Sequence, residues 1–428
     1  MKIYFSGIGG VGLGPLAEIA QQAGFEIFGS DQNSSPMTQK LISKGAQIHI
    51  GEQNGDFLKK KFIEDGVEWL VYTSALPQNH PELVLAQELG LKTSKRDELL
   101  NFIIEEKNLK MLAIAGTHGK TTTTGMLIWT LQQLGVPASW SVGTTLTYGE
   151  SGFFDPRSEF FIYEADEFDR NFLHFSPFLS LITSIDHDHT DVYKTPEEYF
   201  SAFQDFAKQS NFTLSWQDQN PQIYSKIHNK ILLKSVEESL TLPGDFLLKN
   251  ATLVLEALDF LAESGFNLGE GYFERAVEAL NNFPGTDRRF ERIAEGIYSD
   301  YGHHPVEIEA TLQMAKEVAR RQGFSGVSLI YQPHQNVRQH EVAPDYTEQV
   351  FKNADEVIWL PTYLSRENPD LEILTPEFLS KNISSKTQII EMSPELAEKI
   401  AQLQAENRLV LAMSAGSLDG WLRQNFKK

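Results

Sequence analysis

The sequence contains no cysteine. This absence excludes disulfide bonds, cysteine-ligated zinc, iron–sulfur clusters and thiol catalysis, and it is compatible with a reducing cytosol. Long hydrophobic runs are missing as well, because glycines soon interrupt the apolar N-terminal stretch and no run of about 18 apolar residues follows anywhere. We therefore expect neither a signal peptide nor a membrane span, and we expect the protein to be cytoplasmic.

Positive charge is scarce relative to negative charge. The chain has 37 Lys and Arg residues against 58 Asp and Glu residues, which gives a net charge of −21. Such a chain repels the phosphates of nucleic acids and of anionic membranes, so we expect neither as a partner. Any phosphorylated ligand must then be held at a few local sites. The 428 residues suffice for two to four globular domains at about 100–200 residues each.

Predicted strands and helices alternate along the chain, which favours parallel sheets in an α/β fold. Polar segments near residue 105 and near residue 286 separate three such runs of alternating elements. We therefore predict three consecutive α/β domains, at residues 1–105, 106–285 and 286–428.

A glycine-rich segment lies between the predicted strand Lys110–Ala115 and a helix predicted over 123–134. It reads Gly116-Thr117-His118-Gly119-Lys120-Thr121-Thr122. Glycines let backbone N–H groups approach an anion, and the helix N-terminus adds its positive dipole end. Lys120 can reach the β- and γ-phosphates, and the Thr121 hydroxyl suits Mg²⁺. We predict a shortened phosphate loop here; the alternative is a glycine-rich turn without a ligand.

Acidic residues follow two further predicted strands, at the sheet edge where open α/β folds bind ligands. The segment after strand Phe160–Tyr163 holds Glu164, Asp166, Glu167 and Asp169. The segment after strand 179–185 reads Asp-His-Asp-His-Thr-Asp over 186–191. Taken alone, the second segment would also suit zinc or iron. Beside a phosphate loop, these oxygen ligands favour Mg²⁺.

A second glycine-rich loop opens the chain. Gly7-Ile8-Gly9-Gly10-Val11-Gly12 follows the short strand Lys2–Phe5, and Asp31 lies about twenty residues further on, where a ribose hydroxyl is bound in dinucleotide folds. This pattern indicates a diphosphate and a ribose, so either NAD or a UDP-sugar would satisfy it. A tight strand–helix turn without a ligand is the alternative.

Together these segments resemble the Mur ligases, the ATP-dependent amide-forming enzymes of peptidoglycan assembly. The resemblance covers nearly the whole chain. It rests on the two glycine-rich loops and on Gly29-Ser30-Asp31, Glu164-Ala165-Asp166-Glu167, Asp188-His189-Thr190-Asp191, Arg288-Arg289-Phe290, Asp300-Tyr301-Gly302-His303-His304-Pro305 and Gln332-Pro333-His334. It implies an N-terminal Rossmann-like domain for a UDP-sugar, a central P-loop ATPase domain and a C-terminal Rossmann-like domain.

The activity implied by the resemblance is ATP-dependent addition of L-alanine to UDP-N-acetylmuramate through an acyl phosphate, with Mg²⁺ as cofactor, in a monomer or homodimer. The implied catalytic residues are Lys120, Glu164, His189 and His334. The implied metal ligands are Thr121, Glu164 and His189. The implied ATP-binding residues are Gly116, Thr117, His118, Gly119, Lys120, Thr121, Thr122, Asn250, Arg289 and Asp300. The implied UDP-sugar residues are Gly9, Gly10, Val11, Gly12, Ser30, Asp31, Ser74 and Arg338. For His303 and His304 we expect a helix start with one ring capping and one packed.

Three segments depart from the family pattern. Phe246-Leu247 replaces the usual His-Asn of the adenine motif, Gln335 replaces an arginine, and Met413-Ser414-Ala415-Gly416-Ser417 replaces Gly-Ala-Gly-Asp. The last segment leans towards a relative that attaches a recycled tripeptide, L-Ala-γ-D-Glu-meso-diaminopimelate, to the same UDP-sugar. Two further hypotheses are a nucleotide-sugar-binding protein that has lost catalysis and an NAD oxidoreductase, which leaves the second phosphate loop unexplained.

Overall fold

The computed structural model describes residues 1–73, 75–187, 192–218, 221–365 and 367–426. Strands and helices alternate in its first part: β1 (Lys2–Ser6), α1 (Leu13–Gln22), β2 (Glu26–Asp31), α2 (Pro36–Ser43), β3 (Gln47–Ile50), α3 (Asp56–Asp65), β4 (Trp69–Tyr72), α4 (Pro81–Glu88), β5 (Lys92–Ser94) and α5 (Arg96–Glu106). The five strands form a parallel sheet in the order β3-β2-β1-β4-β5. Strands β2 and β3 are thus added on one side of β1, and β4 and β5 on the other. The carboxyl ends of β1 and β4 therefore flank the crevice in which such sheets bind ligands.

The second sheet is built from β6 to β12, with helices between them. Its elements are β6 (Lys110–Ala115), α6 (Lys120–Leu134), β7 (Ala138–Ser141), β8 (Gly152–Phe153), β9 (Phe160–Glu164), a 3₁₀ segment (Phe168–His174), β10 (Leu179–Ile182), α7 (Pro196–Gln209), β11 (Thr213–Trp216), α8 (Pro221–Tyr224), β12 (Lys230–Leu233), α9 (Asp245–Glu263) and α10 (Tyr272–Asn281). The strand order is β12-β11-β10-β6-β9-β7-β8. Because β6 lies in the middle, the loop that follows it emerges at the centre of the sheet.

The third sheet contains β13 to β18. Its elements are β13 (Glu291–Ala294), β14 (Ile297–Asp300), α11 (Pro305–Gln322), β15 (Gly326–Tyr331), α12 (Asn336–Val342), a 3₁₀ segment (Ala343–Asp345), β16 (Glu356–Trp359), α13 (Pro376–Leu379), a 3₁₀ segment (Lys381–Lys386), β17 (Thr387–Ile389), α14 (Pro394–Ala405), β18 (Arg408–Met413) and α15 (Leu418–Phe426). The order is β13-β14-β18-β15-β16-β17, with β13 antiparallel to β14 and the other pairs parallel.

The chain forms two compact units, each made of two stretches of sequence. The first consists of Met1–Val236 and Ala251–Asn282, and the second consists of Glu237–Asn250 and Phe283–Lys428. The first unit contains the first two sheets, and one apolar core joins them. Helix α1 of the first sheet also contacts the second sheet near β8. There the Phe154 amide donates a hydrogen bond to Oε1 of Gln22, the last residue of α1, at 2.7 Å. The predicted α/β fold with three sheets is confirmed, while the domain limits at 105 and 285 stay predictions.

The elements predicted around the phosphate loop agree with the structure to within three residues at each end. Strand β6 has the predicted bounds. Strand β6 is buried at all but its first residue, as expected for a parallel strand covered on both faces. The helix predicted from residue 123 begins at Lys120, because Gly119 with φ of 84° is its N-cap. The strand predicted to reach residue 185 ends at Ile182.

Candidate active site

The predicted phosphate loop connects β6 to α6, as the sequence indicates. Its first residue, Gly116, has φ of 138°, and a Cβ there would lie 2.2 Å from Thr183 Oγ1. Glycine is therefore required at this position for both conformation and space. Ser184, which follows β10, also binds the loop. The Thr117 amide donates to the Ser184 carbonyl at 3.0 Å, and the His118 amide donates to Ser184 Oγ at 3.0 Å.

Lys120 is the first residue of α6 and forms a buried ion pair with Glu167. Its ammonium lies 2.9 Å from Glu167 Oε1 and 2.8 Å from Oε2, and it also donates to the carbonyl of Thr117 at 3.3 Å. Glu167 is 1% exposed. Burial lowers the pKa of Lys120, but the charge and hydrogen bond of Glu167 outweigh burial, so the pKa is raised. Lys120 is therefore a fixed positive charge at the mouth of the loop.

The next residue meets the acidic segment that follows β9. Thr121 Oγ1 donates to Glu164 Oε1 at 2.7 Å, and Glu164 Oε2 accepts from the Gly143 amide at 2.8 Å. Two of the three predicted metal ligands thus lie together. The third, His189, falls outside the described residues. Within those residues, no group of three or more acidic or histidine side chains is arranged around one point.

A hydroxyl and a carboxylate side by side nevertheless fit Mg²⁺, since this ion retains several waters and takes few protein ligands when phosphates are present. The other carboxylates of the segment differ from Glu164 in their surroundings. Burial and the neighbouring Glu167 raise the pKa of Asp166. Asp169 is exposed and has φ of 51°. The four carboxylates therefore do not act as one cluster, and Glu164 is the one available beside Thr121.

The N-terminal glycine-rich loop is folded against the end of β2. The amides of Gly7 and Ile8 donate to the Ser30 carbonyl at 2.9 and 3.1 Å, and the Gly9 amide donates to Asp31 Oδ2 at 2.7 Å. The apex of the loop, residues 10–12, is exposed, and Val11 is 91% exposed. This exposed apex at the start of α1 is available to a ligand, and Asp31 lies directly beside it.

Ser30 and Ser74 are also among the residues predicted for this site. The Ser30 side chain is fully buried, and its hydroxyl donates to Glu82 Oε2 at 2.8 Å. Its hydroxyl therefore belongs to the interior of the sheet, whereas its carbonyl supports the loop. Ser74 lies outside the described residues.

The second unit holds the other predicted ATP-binding residues. Asn250 lies in α9 and is 6% exposed. Asp300 ends β14, where its carboxylate accepts from the amides of Phe290 at 2.8 Å and Gly302 at 2.7 Å. Burial raises the pKa of Asp300, an effect opposed by the positive charge of Arg289. Arg289 and Asp300 are therefore neighbours in this unit.

A cluster of aromatic and basic side chains surrounds His334 in the same unit. The His334 ring stacks on Tyr363 with centroids 5.7 Å apart, and His303 meets it edge-on at 5.7 Å. Arg338 Nη1 lies 3.4 Å from His303 Nε2. Burial first, then the neighbouring His303 and Arg338, lower the pKa of His334 to about 4. His334 is thus neutral at pH 7, with positive charge supplied nearby by Arg338 and negative charge by Glu367.

The role of His304 was predicted from the sequence, whereas the contacts of Glu167 and Glu82 were not. His304 is the N-cap of α11, accepting from the Val306 amide, as we expected for one of the paired histidines. The sequence marked Glu167 as acidic but not as the partner of Lys120. Nothing in the sequence marked Glu82, because neither a motif nor a charge pattern surrounds that residue.

The strand, loop and helix at residues 110–134 define a P-loop nucleotide-binding α/β protein. Residues 2–108 match the Mur ligase catalytic domain, and residues 114–234 match the Mur ligase middle domain. A UDP-N-acetylmuramate--L-alanine ligase of Nocardioides sp. is 31% identical over 97% of this chain and 94% of its own length. The chain belongs to the Mur ligase family, a family of ATP-dependent ligases.

Solved structures share the fold over almost the full length. A UDP-N-acetylmuramate-alanine ligase from Thermotoga maritima has a TM-score of 0.72 and 24% identity, and the match covers 99% of this chain and 98% of that one. A murein peptide ligase from Psychrobacter arcticus has a TM-score of 0.60 and 19% identity, with the same coverage. Among the helices described here, none combines the length and apolar composition needed to cross a membrane.

Proposed function

We propose that this chain joins L-alanine to UDP-N-acetylmuramate with conversion of ATP to ADP and phosphate, in peptidoglycan synthesis in the cytoplasm. The observation that supports this proposal most strongly is a full-length similarity of 31% identity to a relative with that activity in its name. The arrangement of Lys120, Thr121 and Glu164 around a phosphate loop supplies the chemistry that such a ligase needs.

The reaction has two steps. An oxygen of the substrate carboxylate attacks the γ-phosphorus of ATP, so that an acyl phosphate forms and ADP leaves. The amine of L-alanine then attacks the acyl carbon, the bond from that carbon to the phosphate oxygen breaks, and the nitrogen loses a proton, which leaves an amide and inorganic phosphate. A free carboxylate is a poor electrophile, and phosphorylation gives it a leaving group. The protein mainly orients the reactants and offsets their negative charge.

In this proposal the loop amides of residues 116–119 and the ammonium of Lys120 bind the ATP phosphates. Lys120 is held by Glu167, so the charge is in place before the nucleotide binds. Thr121 and Glu164, with His189, would hold Mg²⁺, which would supply positive charge to the phosphate oxygens. Gly116, Thr117, His118, Gly119 and Thr122 complete the loop.

The other proposed contacts lie at the first sheet, on α9 and at the third sheet. The exposed loop apex and Asp31 would take the UDP portion of the sugar, together with the main chain of Ser30 and with Ser74. Asn250, Arg289 and Asp300 would meet the adenine, ribose and phosphates. His334 and Arg338 would face the substrate carboxylate or the incoming amino acid, because neutral His334 can accept a proton there.

We further propose that the domains are residues 1–105, 106–285 and 286–428 and that the protein acts as a monomer or homodimer. Addition of the tripeptide L-Ala-γ-D-Glu-meso-diaminopimelate is the second candidate, favoured by the segment Met413–Ser417. In the structure, Ser414 of this segment donates through its hydroxyl to Gln332 Oε1 at 2.8 Å. Phosphate release with UDP-N-acetylmuramate and either acceptor distinguishes the two activities.

A further inference from the structure

A buried carboxylate lies beneath the N-terminal glycine-rich loop. Glu82, in the first turn of α4, is 1% exposed. Its Oε1 accepts from the Tyr4 hydroxyl at 2.6 Å, and its Oε2 accepts from the hydroxyls of Ser6 and Ser30, the latter at 2.8 Å. Gln53 Nε2 lies 3.4 Å from the same oxygen and donates to Ser30 Oγ at 2.8 Å.

The partners of this carboxylate are hydroxyl and amide donors rather than cations. Tyr4, Ser6 and Ser30 are each fully buried. Burial, followed by the charge of Glu82, raises the pKa of Tyr4, so Tyr4 keeps its proton and remains a donor. A buried charge is costly unless donors converge on it, and here donors from β1, β2 and the segment after β3 do so.

The same network reaches the loop through Ser30. While the Ser30 hydroxyl binds Glu82, its carbonyl accepts from the amides of Gly7 and Ile8. The following residue, Asp31, holds the Gly9 amide. Ser6, the other hydroxyl donor on Oε2, is the last residue of β1 and directly precedes Gly7. Glu82 therefore binds both the end of β1, which leads into the loop, and Ser30 of β2, which accepts hydrogen bonds from the loop amides.

We propose that Glu82 is a positioning residue for this loop: it does not touch the ligand, but it sets the conformation in which the loop amides and Asp31 meet the UDP portion of the substrate. The proposal rests on the function proposed above for the ligand itself. The link from Glu82 to the loop, however, is independent of the ligand and can be measured without it.

The test uses the full-length protein and two matched pairs of variants. Glu82→Gln places an amide donor among donors, whereas Glu88→Gln changes an exposed residue of the same helix. Ser30→Ala breaks the branch that leads to the loop, whereas Tyr4→Phe removes a donor from the same carboxylate without touching that branch. Hydrogen–deuterium exchange of the peptide covering residues 7–12 and calorimetry with UDP-N-acetylmuramate and with UDP are the measurements.

We expect Glu82→Gln and Ser30→Ala to speed exchange in the loop and to weaken binding of UDP-N-acetylmuramate about tenfold, which corresponds to the net contribution of one hydrogen bond. In Glu82→Gln, the KM for ATP and kcat at saturating sugar should stay unchanged. Glu88→Gln and Tyr4→Phe should leave loop exchange and affinity as in the wild type.

Equal loop protection in Glu82→Gln and wild type would overturn the proposal, as would equal effects of Ser30→Ala and Tyr4→Phe. If Glu82→Gln fails to fold, the Ser30→Ala and Tyr4→Phe pair decides the question. Should wild-type protein bind neither sugar ligand, the proposed function fails, and loop exchange still decides the role of Glu82.

Discussion

The ammonium of Lys120 lies 2.8 and 2.9 Å from the two carboxylate oxygens of Glu167. The lysine that we propose to bind the ATP phosphates is thus already paired with an anion. A triphosphate that enters the loop has to compete with Glu167 or share the ammonium with it. The pair therefore keeps Lys120 charged and directed towards the loop in the free protein.

Replacement of Lys120 by alanine should lower kcat by about three orders of magnitude, because a preorganised charge at the transferred phosphoryl group is lost. Binding of UDP-N-acetylmuramate should remain nearly intact, since its proposed site lies on the first sheet. Calorimetry and phosphate release measure the two effects, with Lys208→Ala, an exposed position on α7, as the control. An equal loss of sugar binding and turnover would contradict the assignment of the two sites to different sheets.

Replacement of Glu167 by glutamine should destabilise the first unit by about 3–5 kcal/mol, the usual cost of leaving one partner of a buried pair alone. Thermal unfolding measures this loss. ATP with Mg²⁺ should raise the melting temperature more in the variant than in the wild type, because its phosphates replace the missing carboxylate. An unchanged melting temperature in the absence of ATP would show that Glu167 does not hold Lys120.

Removal of the Thr121 hydroxyl should raise the Mg²⁺ concentration needed for half-maximal phosphate release. In Thr121→Val we expect a rise of at least about tenfold, whereas Thr121→Ser keeps the hydroxyl beside Glu164 and should stay near the wild type. Thr130→Val on the same helix is the control, since the Thr130 hydroxyl donates to the Met126 carbonyl one turn earlier in the helix. Equal Mg²⁺ requirements in Thr121→Val and Thr121→Ser would exclude a metal role for the hydroxyl.

The lowered pKa of His334 predicts a pH dependence of stability. In the unfolded chain this imidazole takes up a proton near pH 6.5, whereas in the folded protein it does so only near pH 4. The unfolded state therefore binds more protons between these values, and the contribution of His334 is present above pH 6.5 and is lost as the pH falls to 4.

His334→Gln should remove this part of the acid sensitivity. Denaturant unfolding of wild type and variant at pH 7 and pH 5 gives the comparison, and the difference between the two pH values should be smaller in the variant. His340→Gln, at an exposed position on α12, should behave as the wild type. A wild-type imidazole that titrates near pH 6.5 by NMR would contradict the expectation.

The sequence allowed the α/β class, the two glycine-rich loops and the strand before each loop to be predicted, because each depends on local patterns. A strand, a glycine turn and a helix follow one another within about twenty residues. The positions of Lys120 and Thr121 at the start of α6 follow from that local order. The exact start of the helix does not, since it is set by the left-handed conformation of Gly119.

Long-range partners could not be predicted in this way. Glu167 meets Lys120 across 47 positions of sequence, and Glu82 meets Tyr4 across 78. Such pairs depend on how parallel strands line up in the sheet, which composition and periodicity do not specify. Glu82 in particular follows the polar residues 78–80 at the start of a helix, where an acidic residue is favourable without any partner, and glutamates are ordinarily exposed.

L-alanine is the acceptor in the proposed reaction. The most direct measurement is phosphate release from ATP by the purified protein with Mg²⁺ and UDP-N-acetylmuramate, comparing L-alanine, L-Ala-γ-D-Glu-meso-diaminopimelate and no acceptor, with mass spectrometry of the product. The proposed function predicts release and a UDP-N-acetylmuramoyl-L-alanine product with L-alanine alone. Product formation with the tripeptide but not with L-alanine, or no product with either acceptor, would contradict it.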